Sequence, residues 1–369
     1  MAVLWAVGAL YFDLPFRSLR SLGAILWLGG AIILPILWRK RRRGFLIVIV
    51  GFAAILAWWL TIQPRNDRDW KPEVAVLAHA DIDENRVTIH DIRNFEYRTE
   101  TDFTPHYNTR SYDLDQLKGI DLFVNYWGSD LIAHPIISFD FGNNNHIAFS
   151  IETRPEKGEG YSTMGGLYRR FELIYIPGDE RDLVRVRTNF RKGEDVYLFK
   201  INSTPERERA RFLEYITQLN QLYAKPRWYN VLTTNCTTSI RSQRTASDRA
   251  PWDWRILANG KADEMLYERG TLDRSISFPE LKRRAHINER RPPTMRRISP
   301  TRSGLEPPDI NMSIFVIRGF GVSGSNCRTT AHSLGVRVIK PLNARGFPDR
   351  DPPLFESEDS EVLRSESVN

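Results

Sequence analysis

The sequence predicts an α+β protein, with a two-helix membrane hairpin followed by a domain of antiparallel strands and helices. Three observations lead there. Two apolar, uncharged runs of near spanning length flank five consecutive basic residues. Short segments rich in β-branched and aromatic residues, separated by turn residues, then fill residues 74–201 and give way to a helical pattern from Thr204. Cys236 follows that helix, among threonines, at the expected start of another.

Residues 22–38 and 44–62 are apolar and carry no charge. A bilayer core takes roughly 20 apolar residues of helix. The second run has that length, and the first reaches it if Ser21 joins and Arg20 snorkels to the interface. The spans are therefore expected at about 20–38 and 44–62, within an anchor of residues 1–63. Trp38, Trp58 and Trp59 fall at or near run ends, where indoles settle at the interface. Buried helices of a soluble protein would show a polar face over such lengths. Arg39-Lys40-Arg41-Arg42-Arg43 separates the runs, and so basic a short loop stays in the cytoplasm. Everything beyond Ile62 then faces outward. Residues 1–14 are largely apolar but too short to span, which makes them an interfacial segment or a clipped helix. No small-residue cleavage site follows them closely.

The formal net charge is +7, and the basic block supplies five of those positives. The excess orients the chain and meets anionic head groups, so the expected partner is the lipid bilayer. No nucleic acid is expected, because repeats, aromatic stacking patterns and zinc-type spacings are all missing. Two cysteines in 369 residues do not make a disulfide scaffold. A Cys236–Cys327 bridge would nevertheless compete with any chemistry of Cys236.

Residues 64–289 are expected to form the extracytoplasmic domain, behind a polar linker at 63–70. Residues 87–97 read as one long strand or a strand pair, and 119–126 as another strand. Residues 135–141 and 146–153 are two strands around Gly142-Asn-Asn-Asn145, which is hairpin chemistry. Strands at 171–177 and 195–201 enclose a mixed segment at 183–189. Thr204 before Pro205 opens a helix. It runs to about Tyr223, with Phe212, Tyr215, Ile216, Leu219 and Tyr223 on its apolar face. Pro226 ends it. A second helix starts near Asn235, and short ones follow at 263–269, stopped by Gly270, and at 278–285. Residues 290–369 become rich in Pro, Arg, Ser and Gly, then acidic, and are expected to be a mostly disordered tail.

A thiol at a helix N-terminus feels the positive end of the helix dipole, which favours the thiolate. Its use as a nucleophile needs a base, and His134 and His146 flank the hairpin. With residues 142–145 as the turn, His134 begins the first strand and Glu152 lies nearly opposite on the second. His146 sits at the turn and is the alternative base. The candidate set is Cys236 as nucleophile, His134 as base and Glu152 to orient the imidazole. Backbone amides at the start of the Cys236 helix would form an oxyanion hole. Plainer uses exist: Cys236 as a small buried residue capped by threonines, and Glu152 in a surface ion pair with Arg154 or Arg170. His79 and His90 read as ordinary strand residues. Three converging metal ligands cannot be assembled, so neither metal nor cofactor is expected. Residues 158–166 (GEGYSTMGG) lack the lysine and the context of a phosphate loop. They read as a lid over the cleft or a long hairpin loop.

Residues 87–98 (VTIHDIRNFEYR), 132–141 (IAHPIISFDF), 150–154 (SIETR), 171–175 (FELIY) and Thr234-Asn-Cys-Thr-Thr238 together resemble the DUF4105 family. That family corresponds to the N-terminal extracytoplasmic domain of the lipoprotein intramolecular transacylase Lnb. The resemblance covers roughly residues 65–290. It implies a papain-like, circularly permuted NlpC/P60-like fold in which histidine precedes cysteine. It also implies that Cys236 and His134 are the reactive pair. The implied reaction moves an acyl chain from the glyceryl group of a lipid-modified cysteine to its amino group. The implied location is a bacterial inner membrane, with the domain on the periplasmic side. Two features depart from the family: no apolar run of spanning length follows Cys236, and the tail is foreign to it.

The expected function is a membrane-anchored thiol acyltransferase or hydrolase that works through an acyl-enzyme on lipoprotein or other acylated substrates. Two others stay open. One is an NlpC/P60-type cell-wall peptidase or amidase acting on envelope peptides. The other is a non-catalytic envelope protein that binds lipid or a partner.

Overall fold

The computed structural model describes residues 1–37, 41–243, 249 and 251–288. Cys327 and the whole of the expected tail lie outside the described residues, as do Trp38, Arg39 and Lys40.

Three helices come first: α1 (Ala2–Asp13), α2 (Arg17–Leu37) and α3 (Arg41–Thr61). Helices α2 and α3 are long and apolar enough to cross a membrane, and they pack together. Each starts a few residues before its apolar run, because arginines continue the helix past the apolar stretch. Helix α1 packs on both. The Trp27 indole N–H donates to the Val3 carbonyl at 3.1 Å, and the Trp5 and Trp59 rings meet edge-on at 5.1 Å. Its other side meets the domain. Phe12 stacks on Tyr168 at 5.2 Å, and a Cβ at Gly8 would collide with the Tyr168 hydroxyl.

The domain's strands are β1 (His79–Asp83), β2 (Arg86–Arg93), β3 (Glu96–Tyr97), β4 (Phe103–Thr104), β5 (Tyr107–Asp113), β6 (Gly119–Trp127), β7 (Ser129–Asp140), β8 (His146–Arg154), β9 (Glu172–Gly178) and β10 (Glu194–Lys200). Among the described residues eight of them form one sheet, in the order β1-β2-β9-β8-β7-β6-β10, with β5 also on β2. Pairing is antiparallel except where β2 meets β9 at Arg93 and Gly178. The sheet is therefore mixed, not purely antiparallel. The helices are α4 (Glu180–Leu183), α5 (Pro205–Ala224), α6 (Cys236–Ser242), α7 (Ala262–Glu268) and α8 (Phe278–Ala285).

Both sheet faces are covered. On one face Val124, Ile137, Phe149, Ile151 and Tyr175 pack with Phe212, Tyr215, Ile216 and Leu219 of α5, and Cys236 belongs to this cluster. On the other, Phe123, Ile136, Ala148, Ile174 and Ile176 pack with Leu183, Val184 and Trp70. Strand alternation assigns each residue to its face. Tyr223 does not join the α5 face: it is exposed and lies against the His79 ring at 4.6 Å, while Leu222 is buried instead.

The β7–β8 turn sets the register that matters. Gly142, Asn143 and Asn144 all have positive φ, and the Asn145 N–H donates to the Gly142 carbonyl at 2.8 Å. Glycine and asparagine tolerate that conformation. Asp140 then pairs with His146 and Ile136 with Ser150. The segment 87–97 resolves as two strands, β2 in the large sheet and β3 paired with β4 in a separate two-stranded sheet. Asp91 has φ 60° at a register shift, and β2 ends at Arg93. There the Arg93 guanidinium grips Asp182 of α4 at 2.9 and 3.1 Å, and the same carboxylate accepts the Phe95 N–H at 2.7 Å.

Candidate functional site

The turn before α6 is built from side chain to backbone. Asn230 Oδ1 accepts the amides of Leu232 and Thr233. Asn235 Oδ1 accepts the Thr238 N–H at 2.8 Å, while the Asn235 N–H donates to Thr238 Oγ1 at 2.8 Å. That reciprocal cap fixes the first turn of α6. It leaves the Cys236 side chain free of any capping duty. Cys236 is 7% exposed. Its sulfur accepts from Asn259 Nδ2 at 3.4 Å and lies 3.8 Å from Thr237 Oγ1. Asn259 Oδ1 in turn accepts the Ala133 N–H at 2.9 Å. One amide side chain thus bridges the thiol to the backbone beside His134.

His134 stands on β7 just beyond the last β7–β8 pair, Ile136 with Ser150, and extending that register sets it opposite Glu152 on β8. Its Nε2 lies 2.6 Å from Ser150 Oγ, and Ser150 Oγ donates to Glu152 Oε1 at 2.6 Å. Because the serine proton goes to the carboxylate, Ser150 accepts from the imidazole, which therefore carries hydrogen on Nε2. The lone pair of the neutral ring is left on Nδ1. Glu152 Oε1 lies 3.8 Å from His134 Nε2 and 3.0 Å from Arg187 Nη2.

Burial, reinforced by the neighbouring Arg187 charge, pushes His134 down to about 4 against the pull of Glu152. Burial alone would raise Glu152, but Arg187, His134 and Arg93 outweigh it and hold the carboxylate well below its ordinary range. Burial also pushes the Cys236 thiol up, against hydrogen bonds from Thr237 and Asn259. This corrects the expectation of a helix-favoured thiolate: desolvation of the anion outweighs the dipole here.

Cys236, His134, Glu152 and Asn259 line one cavity of about 440 Å³, walled by Trp127, Tyr161, Thr163 and Tyr229. The thiol and imidazole share the cavity without bonding to each other. Cys236 packs with the α5-side cluster, whereas His134, Ser150 and Glu152 alternate onto the opposite face. Residues of both faces reach the one cavity.

His146 does not line it. It lies 3.7 Å from Asp140 and 3.7 Å from Glu180, at the turn end of β8. Glu152 pairs with neither Arg154 nor Arg170: Arg154 donates to the Val74 and Ala75 carbonyls, and Arg170 faces Glu159 at 3.6 Å. Its partner is the buried Arg187, from the segment after α4. The residues 158–166 supply part of the cavity wall through Tyr161 and Thr163. A second cavity, of about 330 Å³, lies beyond Thr237 and Asn259 and is lined mainly by apolar side chains, among them Leu122, Val124, Ile137, Ile240 and Met265. Among the described residues no group of three or more His, Cys, Asp or Glu side chains is arranged to hold a metal ion.

Sequence reasoning missed Ser150, Arg187 and Asn259. Ser150 carried a signal, since it shares a strand face with Glu152 two residues on. The other two come from distant segments and carried none.

No curated protein and no solved structure matches the chain. One family model does: residues 103–260 match the Lnb N-terminal periplasmic domain. The matched span runs from β4 to just past Asn259 and contains His134, Ser150, Glu152, Arg187 and Cys236. The chain thus joins two helices of membrane-spanning length to a domain related to the Lnb N-terminal periplasmic domain, the family that the motifs around His134 and Cys236 resemble.

Proposed function

We propose that the chain is a membrane-anchored thiol acyltransferase or hydrolase that works through an acyl-enzyme on lipoprotein-type or other acylated envelope substrates. One observation carries this reading: Cys236, at the first turn of α6, shares a cavity with the His134–Ser150–Glu152 chain. Arg187 keeps Glu152 ionised, Glu152 holds the Ser150 proton, and Ser150 holds the imidazole in the tautomer with a lone pair on Nδ1. That nitrogen takes the thiol proton through water in the cavity the two groups share. The thiolate attacks an ester carbonyl. The backbone amides at the first turn of α6 and Asn259 Nδ2, which donates to the sulfur, stabilise the resulting oxyanion. Collapse forms the thioester and expels the alcohol, which takes the proton from His134. Water or an amine then resolves the thioester. The apolar cavity beyond Thr237 and the two apolar helices favour an acylated substrate over a peptide one.

The test is turnover of an acylated lipopeptide by the full-length protein in detergent. Cys236→Ala is expected to lower the rate by about 10⁴-fold or more with unchanged thermal unfolding, and Asn259→Ala by about 10²-fold with a lower unfolding temperature, because the buried Ala133 N–H loses its acceptor. Full activity in Cys236→Ala refutes the proposal. Turnover of muropeptides but not of lipopeptides would assign peptidase chemistry instead.

A further inference from the structure

Six large apolar side chains, each in or directly beside a segment that lines the thiol cavity, remain exposed. They are Leu131, Ile132, Tyr161, Met164, Leu232 and Leu257, each more than 40% accessible. Ile132, Tyr161 and Leu257 line the cavity itself. The six come from four segments far apart in sequence. They are the start of β7, the loop between β8 and β9, the turn before α6 and the turn before α7. The fold brings all four segments to the one cavity, and exposed apolar side chains gathered around a cavity on a folded domain mark an interaction surface. Trp254, also exposed, donates no side-chain bond among the described residues, and its carbonyl accepts the Leu257 N–H at 2.9 Å. Indole side chains suit a membrane–water interface.

The rim is continuous with the anchor. The loop that carries Tyr161 and Met164 rests on the first two helices. Phe12 stacks on Tyr168, and Arg17 reaches Glu156 and Glu159 at 3.7 and 3.8 Å. Val231, next to Leu232, donates to the Gly166 carbonyl of the same loop at 2.9 Å. Arg169 donates to the Trp59, Leu60 and Ile62 carbonyls at the end of α3, at 2.7 to 3.0 Å. One side of the mouth therefore starts within a few residues of contacts to the helices that enter the bilayer.

We propose that the mouth of the thiol cavity docks on the surface of the bilayer that holds α2 and α3. The apolar rim inserts among the lipids, and the cavity opens to the leaflet rather than to water. This surface rests on exposure and continuity with the anchor, not on the reaction proposed for Cys236.

The test uses the full chain with Cys236→Ala and Cys327→Ala. A single cysteine is introduced as Met164→Cys, Leu257→Cys or Glu84→Cys, labelled with an environment-sensitive fluorophore, and reconstituted in phosphatidylcholine–phosphatidylglycerol vesicles. Glu84 lies in the β1–β2 turn, at the opposite edge of the sheet from β6 and β7. Labels at 164 and 257 are expected to be quenched several-fold more by nitroxide lipids than the label at 84, and to be shielded from aqueous iodide. Iodide quenching at 257 equal to that at 84 overturns the proposal. So does lipid quenching at 164 alone, which would mean that only the neighbourhood of the anchor touches lipid. Shielding from iodide without lipid quenching, growing with protein density, also overturns it in favour of a second copy of the chain. None of these results bears on whether Cys236 is a nucleophile, which the lipopeptide assay decides.

Discussion

The pair proposed to react rests in its neutral form. Burial raises the Cys236 thiol, and burial with Arg187 lowers His134 to about 4, so near pH 7 the proton stays on sulfur and the ring is uncharged. A raised thiol pKa means less thiolate at any pH below it. Labelling of Cys236 by iodoacetamide is therefore expected to be slow at pH 7 and to climb through and beyond pH ~8.5, the range of an ordinary thiol. A rate constant that is flat from pH 6 to 9 would reveal a preformed ion pair and contradict this arrangement. His134 and Glu152 were legible because a hairpin turn is local: four residues fix which side chains stand opposite. Asn259 was not, since it reaches Ala133 across 126 residues. Arg187 was not, since it meets Glu152 from 35 residues away. No spacing rule connects such positions before the chain has folded. The direction of the thiol shift was also illegible, because a dipole can be read from a helix start and burial cannot.

Among the elements, α1 has the least obvious role. A twelve-residue helix cannot span a bilayer, and its natural partner is a surface built more than 150 residues later. Gly8 lets the Tyr168 hydroxyl lie against the helix backbone, a contact that any side chain would block. Gly8→Leu is expected to lift α1 from the domain and lower the unfolding temperature of the full chain, at a cost of about 1–3 kcal/mol. The 158–166 loop should also be clipped faster by a protease. An unchanged melting curve and clipping rate would show that α1 does not brace this loop. Strong local signals gave β8, α5 and α8 close to their observed limits, whereas β7 starts at Ser129, well before the expected 135, so that His134 lies inside the strand and not at its start. The end of β2 is different: it is imposed by Asp182, which draws Arg93 and the Phe95 N–H toward α4. The parallel seam between β2 and β9 is likewise a long-range choice.

For the whole molecule, the basic block between α2 and α3 predicts that the domain faces away from the cytoplasm. A cysteine introduced as Glu84→Cys, with Cys236→Ala and Cys327→Ala, is expected to react with a membrane-impermeant maleimide in intact spheroplasts. Reaction only after permeabilisation would reverse the orientation. The two apolar runs and the basic block were readable from composition alone. How the domain meets the anchor was not, because it depends on Asp13, Trp59 and Arg169 meeting in space. The Trp59 indole N–H and the Arg169 backbone N–H both donate to Asp13, at 2.6 and 3.2 Å, while the Arg169 guanidinium takes the carbonyls at the end of α3. This junction clamps the domain instead of leaving it on a slack tether. A domain held at fixed height over a leaflet meets lipid-borne molecules by two-dimensional encounter. The concentration that governs such encounters is a number per unit area: inert lipid dilutes it, and a larger volume of water does not.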